Sequence, residues 1–467
     1  MMLVHSSQMS GIFHRTMMFP FTNGVHSNVT FPDSEQDDAN KFVTNRRRSL
    51  SVPSDTQFMM AFAWTVPMEK LMFELFPSII YVDTTADTNN EGRPLLTMAG
   101  KDTSSRLFPI IRAFLPNQQM WTFRWVFSVL LPRAYSKRIL SNVQIIITDG
   151  DSQETNQLDN ALSLYFPQAR RVQCGWHIVN RSWNSNIEGP KSFPKNMRPL
   201  YDCIRNICHT WIYSFMTSSN CETFEEYVLS KHLFLRFIGN PRVSDGIGGT
   251  LSAHIQTWFK NYVEPHEQQF CFYLRKNLLH FGEYSNSAVE GGIHSNIKNC
   301  AAPVRPSHTL HRSMAILTKN AVREAKQKNA KRYKDINSSR TYCIGDQFNE
   351  VIDQAFVHLE SCCNIAYKYK CIRCSESEFL VTRNLQMYPY ESVVHIPRFV
   401  RVRKVSLRYG KIVCDCTMRK TFGLVCPHVV HVKRMCDETF SPSFRDISCI
   451  WWKVYSAVSE FPESEIF

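Results

Sequence analysis

Between residues 78 and 174 the chain lays down a series of apolar runs that restricts its fold more than any other feature. Ser78-Ile79-Ile80-Tyr81-Val82-Asp83 is a short apolar run closed by a carboxylate, the pattern of a buried strand. Leu95–Gly100 and Leu107–Phe114 read as the next two strands. Met120–Leu140 reads as a helix with an interruption at Pro132, and Val143–Asp149 as another buried strand ending in Asp. A helix over Gln153–Tyr165 and a strand over Ala169–Cys174 follow. Strand-strand-strand-helix-strand-helix-strand implies a mixed α/β sheet. Residues 177–335 look mostly helical, and after Tyr342 come a helix and short β-rich segments.

At 467 residues the chain is long enough for two or three domains. A hydrophobic fraction of 43% with 12% aromatics builds cores and is not a disordered composition. The net charge of +13 favours a polyanionic partner. The first fifty-odd residues, rich in Ser, Asn, Asp and Pro, read as loosely ordered; Arg46-Arg47-Arg48 within them is either an import signal or a solvated stretch. His5, Ser6, Ser7, Gln8, His14 and Arg15 interrupt any apolar secretion signal between Met1 and Phe21, and no apolar run has the length of a membrane span. The expectation is a reducing, intracellular setting, where the 16 cysteines are core residues or metal ligands and not disulfides.

Asp83 and Asp149 each close an apolar strand, and strand ends are where sheets present catalytic groups. Two carboxylates on adjacent strands can share a Mg²⁺ or Mn²⁺ ion, and a second ion calls for a third acid. Glu290 is the candidate, on a segment where Val289, Ile293 and Ile297 form one helical stripe and Glu290, His294 and Lys298 the neighbouring one. The rival reading makes each acid a cap, turn or surface residue; Asp149-Gly150-Asp151-Ser152 suits a turn or helix cap well. Asp87 and Asp151 are nearby alternates.

Cys414-Asp415-Cys416, nine residues, then Cys426-Pro427-His428 place three thiols and an imidazole within fifteen residues. Cys₃His is one of the ligand sets that closes a structural zinc tetrahedron. Lys411–Val413 ahead of it reads as a strand, and Pro427 onward as a helix. His431 and Cys436 fall outside this minimal spacing. Cys174 and His177 are spaced like half a metal site, with packing or hydrogen bonding as the other reading. Cys371-Ile372-Arg373-Cys374 sits on a hairpin pattern without a partner pair in register. Lys319–Lys334 reads as a basic helix, and Arg398, Arg401, Arg403, Lys404, Arg408 and Lys411 line the strands before the Cys/His cluster; both groups suit phosphate contacts, with a solvated helix face as the other reading of the first.

The Cys/His spacing resembles the SWIM zinc finger. Asp83-Thr84-Thr85-Ala86-Asp87-Thr88-Asn89, Thr148-Asp149-Gly150-Asp151 with Phe166-Pro167-Gln168-Ala169 and Cys174-Gly175-Trp176-His177, and the Glu290–Lys298 segment resemble, in order, the acidic blocks of Mutator-like element (MULE) transposases. The resemblance spans roughly residues 60–435. It implies an RNase H-like mixed α/β sheet with a helical insertion, plus a small C-terminal zinc-binding SWIM module. The expected boundaries are a loosely ordered 1–54, the first part of the core over 55–180, the insertion over 181–280, the third-acid helix and closing core helices over 281–340, a linker with helix and hairpin over 341–398, the finger over 399–440 and a tail over 441–467. It also implies Asp83, Asp149 and Glu290 as a Mg²⁺- or Mn²⁺-binding triad that cleaves and joins DNA strands, structural Zn²⁺ on Cys414, Cys416, Cys426 and His428, and Cys174 and His177 as a recurrent pair near the active site. DNA is the implied partner, with protein contacts through the finger and a homodimer as further options, no membrane, and the nucleus as the place of action. The FAR-RED impaired response family has the same architecture and acts in transcription, so a non-catalytic DNA-binding regulator, or a degenerate element keeping only zinc-dependent contacts, is the alternative. These families carry a zinc-binding DNA-recognition domain ahead of the catalytic region; this chain has no cysteine before Cys174, so the expectation is a truncated copy, a decayed element or a gene fragment.

Overall fold

The computed structural model describes residues 17–20, 37–38, 40–42, 44–45, 59–86, 89, 92–102, 106–188, 198–217, 221–240, 249–287, 289–294, 353–384, 401–408, 411–436, 448 and 451. They fall into two compact units. The first draws on Met1–Arg171, Asn286–Asp335 and Tyr455–Phe467, the second on Val172–Ser285 and Ile336–Val454. Among the described residues no helix is long and apolar enough to cross a membrane.

The first unit is organised by a sheet of seven strands in the order β1-β2-β5-β4-β3-β6-β7. These are Met17–Pro20 (β1), Met59–Trp64 (β2), Ile79–Thr85 (β3), Leu95–Lys101 (β4), Leu107–Phe114 (β5), Ile145–Thr148 (β6) and Arg170–Gln173 (β7). Neighbours from β1 to β3 pair antiparallel, whereas β3 and β6 are parallel. The five strands from β3 to β7 were expected from the sequence, β3 to β6 from their apolar runs. β1 and β2 were not; β1 falls within the stretch read as loosely ordered. Its four residues, Met17-Met18-Phe19-Pro20, are too few to set a period.

Leu95, Leu96, Met98 and Ala99 of β4 are all fully buried, as a central strand covered on both faces requires. Pro109 of β5 cannot donate a ladder hydrogen bond, and it sits opposite Ala99, where the β4–β5 register shifts. Helix α1 (Pro67–Leu75) begins with Pro at its first turn, and Glu69 accepts the Val66 N–H at 3.2 Å. The same buried carboxylate accepts from Arg112 Nη1 on β5 at 2.7 Å, tying helix to sheet.

The long helix expected over Met120–Leu140 is divided elsewhere than at Pro132. Helix α2 (Met120–Trp125) continues through a π-helical turn, Val126–Leu130, into Leu131–Ala134, and the break falls at the extended Tyr135 before Lys137–Leu140. Pro132 has no N–H to give the Ser128 carbonyl; that carbonyl accepts the Tyr165 hydroxyl at 3.3 Å instead. Tyr165 closes helix α3 (Ser152–Tyr165), whose buried Glu154, Gln157, Leu158 and Ala161 recur at helical spacing.

In the second unit, helices α4 (Arg198–Phe215), α5 (Phe224–Ile238) and α6 (Gly249–Trp258) enclose a core around Trp183, Trp211, Trp258, Tyr227 and Phe234. The indole N–H groups find acceptors: Trp183 on the Tyr201 hydroxyl at 2.7 Å and Trp258 on the Ser182 hydroxyl at 2.9 Å. A four-stranded antiparallel sheet, β11-β10-β9-β8, is built from Tyr369–Arg373 (β8), Glu378–Arg383 (β9), Arg403–Arg408 (β10) and Lys411–Cys414 (β11). Helices α7 (Asp353–Ile365) and α8 (Pro427–Cys436) complete it, with Leu359, Phe379, Val381, Val405 and Val430 in the shared core. The hairpin expected at Cys371–Cys374 is β8–β9. Thr421 O accepts both His280 N–H at 3.2 Å and Phe281 N–H at 2.9 Å, joining the helical segment to the β-rich one inside this unit.

Candidate functional site

Two groups of ligand-bearing side chains stand out, one in each unit. In the first unit the parallel pairing of β3 and β6 sets Tyr81 opposite Ile147. Asp83 and Asp149 each lie two residues further on, so the register brings the two acids to the same level on adjacent strands. Asp83 is 4% exposed and stands inside β3, which runs on to Thr85; it does not end the strand as its apolar run suggested. Asp149 follows the last residue of β6 directly. Gly150 has φ +93°, a left-handed turn that favours glycine, and it lets the chain reverse at once into α3. The cap of that helix is Asp151, exposed, whose Oδ1 accepts Gln153 N–H at 2.8 Å and Glu154 N–H at 3.3 Å. Capping is therefore the work of Asp151, and Asp149 is left to the sheet edge.

Glu290 lies in the π-helical turn Val289–His294; its side chain is outside the described ones, as are Ile297, Lys298 and the alternate Asp87. The turn's backbone is anchored. Val289 is fully buried, and Ile293 packs against Trp64, Leu95 and Phe114 of the sheet. Just ahead of it the buried Asn286 reaches Asp149 Oδ1 with its Nδ2 at 3.4 Å. Asn286 thus ties the Glu290 segment to the strand end that carries Asp149.

Glu154 was absent from the sequence-based candidates. It is 3% exposed, and its Oε1 has no hydrogen-bond partner among the described residues. Burial, followed by repulsion from Asp149, Asp83 and Asp151, pushes its carboxyl well above the ordinary value. A usable signal exists in the sequence. Glu154 occupies the head of the stripe that continues through Leu158 and Ala161, where an apolar residue belongs.

In the second unit Cys414, Cys416, Cys426 and His428 converge, their ligand atoms all within 4.8 Å of one another. Cys414 Sγ lies 3.7 Å from His428 Nδ1. A tetrahedral zinc with Zn–S about 2.3 Å and Zn–N about 2.0 Å has S···N edges of about 3.5 Å, so this cluster can hold zinc. The thiols share their protons: hydrogen bonds from Cys414 and Cys426, together with His428, hold the Cys416 thiol far below the ordinary range, while Cys414 and Cys426 are pushed above it. Asp415 fixes the first ligand pair: its N–H donates to Lys404 O and its Oδ2 accepts Lys404 N–H, both at 3.1 Å. Between the pairs, Gly423 has φ +68°, and a Cβ there would meet Ser448 Cβ at 2.8 Å. Gly423→Ala is expected to destabilise the second unit by about 1–2 kcal/mol, read as a lower melting temperature; an unchanged melt would contradict this.

Among the described residues this is the one group of three or more such ligands within coordinating distance. Cys174, fully buried, has its Sγ 3.4 Å from Ser285 Oγ, and His177 lies edge-on to Trp176 with ring centroids 5.2 Å apart. His431 faces the Tyr369 ring at 6.5 Å and Cys436 ends α8, both outside the four-ligand group.

The expected phosphate-binding role of Arg401 and Arg403 meets a competing geometry. Arg401 binds Glu226 through Nε and Nη2, both at 2.6 Å, and Arg403 grips Glu222 with two nitrogens, the longer bond 2.9 Å. Fork-to-fork pairing with carboxylates occupies the donors that a phosphate would use. Lys404 pairs with Glu378 at 2.6 Å. Arg398 and the basic helix Lys319–Lys334 lie outside the described residues.

Residues 79–181 match the family model of the MULE transposase domain. A search among curated proteins found no match. The matched span begins at β3 and contains Asp83, Asp149, Glu154, Cys174 and His177. It supports a transposase or a transposase-derived protein.

Proposed function

We propose that the chain is a Mutator-like transposase, or a descendant of one, whose first unit cuts and joins DNA strands and whose second carries a SWIM-type zinc module. In this reading the seven-stranded sheet is an RNase H-like core, and Asp83, Asp149 and Glu290 form its Mg²⁺- or Mn²⁺-binding set. The observation that carries the reading is the β3–β6 register, which brings Asp83 and Asp149 to one level of adjacent parallel strands within the matched span. Hard carboxylate oxygens at a partly open sheet edge suit Mg²⁺, which keeps waters and takes further ligands from phosphate.

Divalent ions bound there supply an activated water and a counter-charge for the leaving oxygen. The residues' own work is positional. Burial in β3 holds Asp83, Asn286 orients Asp149, and the Gly150 turn sends the chain away so that the strand end stays accessible to a phosphodiester. Water oxygen bonds to phosphorus, the bond to the 3′ oxygen breaks, and that oxygen takes up the proton the water gives up. The oxygen of the freed 3′-hydroxyl then bonds to a phosphorus of target DNA as the target's own P–O3′ bond breaks, and the departing 3′ oxygen takes up the proton the hydroxyl gives up. The zinc cluster has four protein ligands and no open position, so its role is to hold the second unit's β-rich segment together and present it to DNA or a protein partner. The place of action is the nucleus.

The test is strand cleavage by the full chain with Mg²⁺ or Mn²⁺ on duplexes bearing candidate terminal inverted repeats. Asp149→Asn is expected to lower cleavage about a hundredfold or more. Equal cleavage by this variant would remove the assigned site. DNA binding without any metal-dependent cleavage by the wild type would favour the non-catalytic regulator.

A further inference from the structure

The geometry points to Cys362 of α7 as a positioning residue for the zinc cluster, acting through the peptide bond that leads into the ligand Cys426. This inference rests on the reading of Cys414, Cys416, Cys426 and His428 as zinc ligands and adds the group that aims the second pair.

Metal ligands are held in place by the groups around them, and losing one such group costs about ten- to a hundredfold in metal affinity. The first ligand pair has its support in Asp415, bonded twice to Lys404 of β10. Between Cys426 and His428 stands Pro427, which has no N–H to give and no polar side chain. Support for this pair comes from a remote helix. Cys362 lies 63 positions before Val425, is 2% exposed, and donates its S–H to the Val425 carbonyl at 3.5 Å.

The peptide bond is planar, so fixing the Val425 oxygen also fixes the plane that carries the Cys426 N–H. On the other side of Cys426, its own carbonyl accepts the Val430 N–H at 3.2 Å, the first bond of α8. With both flanking peptides held, the direction of the Cys426 Cα–Cβ bond is set before any metal arrives, and one side-chain torsion remains. Cys362 is itself held: its sulfur is 3.3 Å from Nε2 of His358, one turn earlier on α7. The His358 ring is near-parallel to that of Phe422, at 11° with centroids 6.1 Å apart, and Phe422 ends the short helix Met418–Phe422 between the two ligand pairs. Arg434 of α8 donates to the Cys363 carbonyl at 2.8 Å. Helix α7 is therefore bonded to the chain on both sides of the second pair. A thiol is a weak donor, so the Cys362 bond contributes direction more than stability. Simple packing is the other role open to a buried cysteine, and it predicts different behaviour.

The experiment uses the zinc-loaded full chain. Zinc release to excess chelator gives affinity and rate, and the zinc-free chain gives a melting temperature. The visible spectrum with Co²⁺ in place of zinc reports the ligand geometry. Cys362→Ala removes the donor and is expected to weaken zinc binding about tenfold, to speed its release and to alter the Co²⁺ spectrum. Cys362→Ser keeps a donor and is expected to restore most of the affinity. Leu359→Val trims a fully buried side chain of the same helix and core, so it serves as the packing control. It is expected to lower the zinc-free melting temperature while leaving zinc release and the Co²⁺ spectrum near wild type. Wild-type zinc release in Cys362→Ala, with zinc lost in Cys426→Ser, overturns the role of Cys362 and leaves the ligand set standing. Equal zinc losses in Cys362→Ala and Leu359→Val, or no recovery in Cys362→Ser, reduce Cys362 to packing and overturn it as well. If the wild type takes up no zinc, or Cys426→Ser keeps it, the ligand set fails and this inference with it. Should Cys362→Ala prove unfolded, Cys362→Val, which fills the space without a donor, decides by the same comparison.

Discussion

Cys426→Ser is expected to abolish zinc binding and to melt the β-rich segment of the second unit. Metal analysis should find about one Zn per wild-type chain and almost none in the variant. The size of the effect follows from linkage. A structural zinc that binds only the folded site contributes its binding free energy to folding, about 10–16 kcal/mol in isolated finger peptides. The loss here will be smaller than in an isolated finger, because Val405, Leu424, Val429 and Val430 share a hydrophobic core with the ligands and the fold does not rest on the metal alone. Cys426 is 3% exposed and sits one residue before α8, so it anchors both the metal and the start of that helix. A chelator should reproduce the variant, and acidification should weaken binding because the thiols must be deprotonated to ligate. A zinc content unaffected by Cys426→Ser would refute the ligand set.

Glu222→Ala should cost about 3–5 kcal/mol of stability, since removing one member of a buried ion pair strands its partners. Glu222 is 5% exposed, and both Arg403 and Arg401 lie on its carboxylate, the latter at 3.2 Å. The double variant Glu222→Ala/Arg403→Ala is expected to be less damaged than the two single effects summed, because no unpaired charge remains at that bond. Equal melting temperatures for Glu222→Ala and wild type would show that the pair contributes little. The neighbouring Glu226 gives the clamp a pH dependence. Burial raises its carboxyl, but hydrogen bonding and attraction from Arg401 outweigh this and hold it below the usual 4.5. Its contribution is therefore fully present above that value and is lost as the pH falls through the depressed one. Acid melts should show the wild type losing this increment and Glu226→Gln, already without it, losing less.

Legibility tracked sequence distance and burial. The Cys/His cluster was readable because all its ligands lie within fifteen residues and zinc chemistry dictates their types. β3 to β6 were readable because strands in the interior of a sheet are largely apolar. The edge strand β1 carried no such signal. Arg401 and Arg403 looked like phosphate contacts because their acidic partners stand 175 and 181 positions away, beyond the reach of any local pattern. Glu154 was passed over because a glutamate in the first turn of a helix is commonplace. Its lack of exposure, a tertiary property, sets it apart.

By itself, then, the sequence determined the four ligands of the cluster, the succession of strands and helices from residue 78 to 174, and Asp83 and Asp149 as acids carried by apolar strands. Ligand spacing and hydrophobic period are local quantities, and both can be read along the chain. Tertiary structure alone decided that β3 and β6 pair in parallel with the two acids level, that Asn286 ties the Glu290 segment to Asp149, that Glu154 is buried, and that carboxylates hold the two arginines. Each of these depends on which strands pair and which surfaces close over one another. That is settled by the packing of residues remote in sequence, which no local period records.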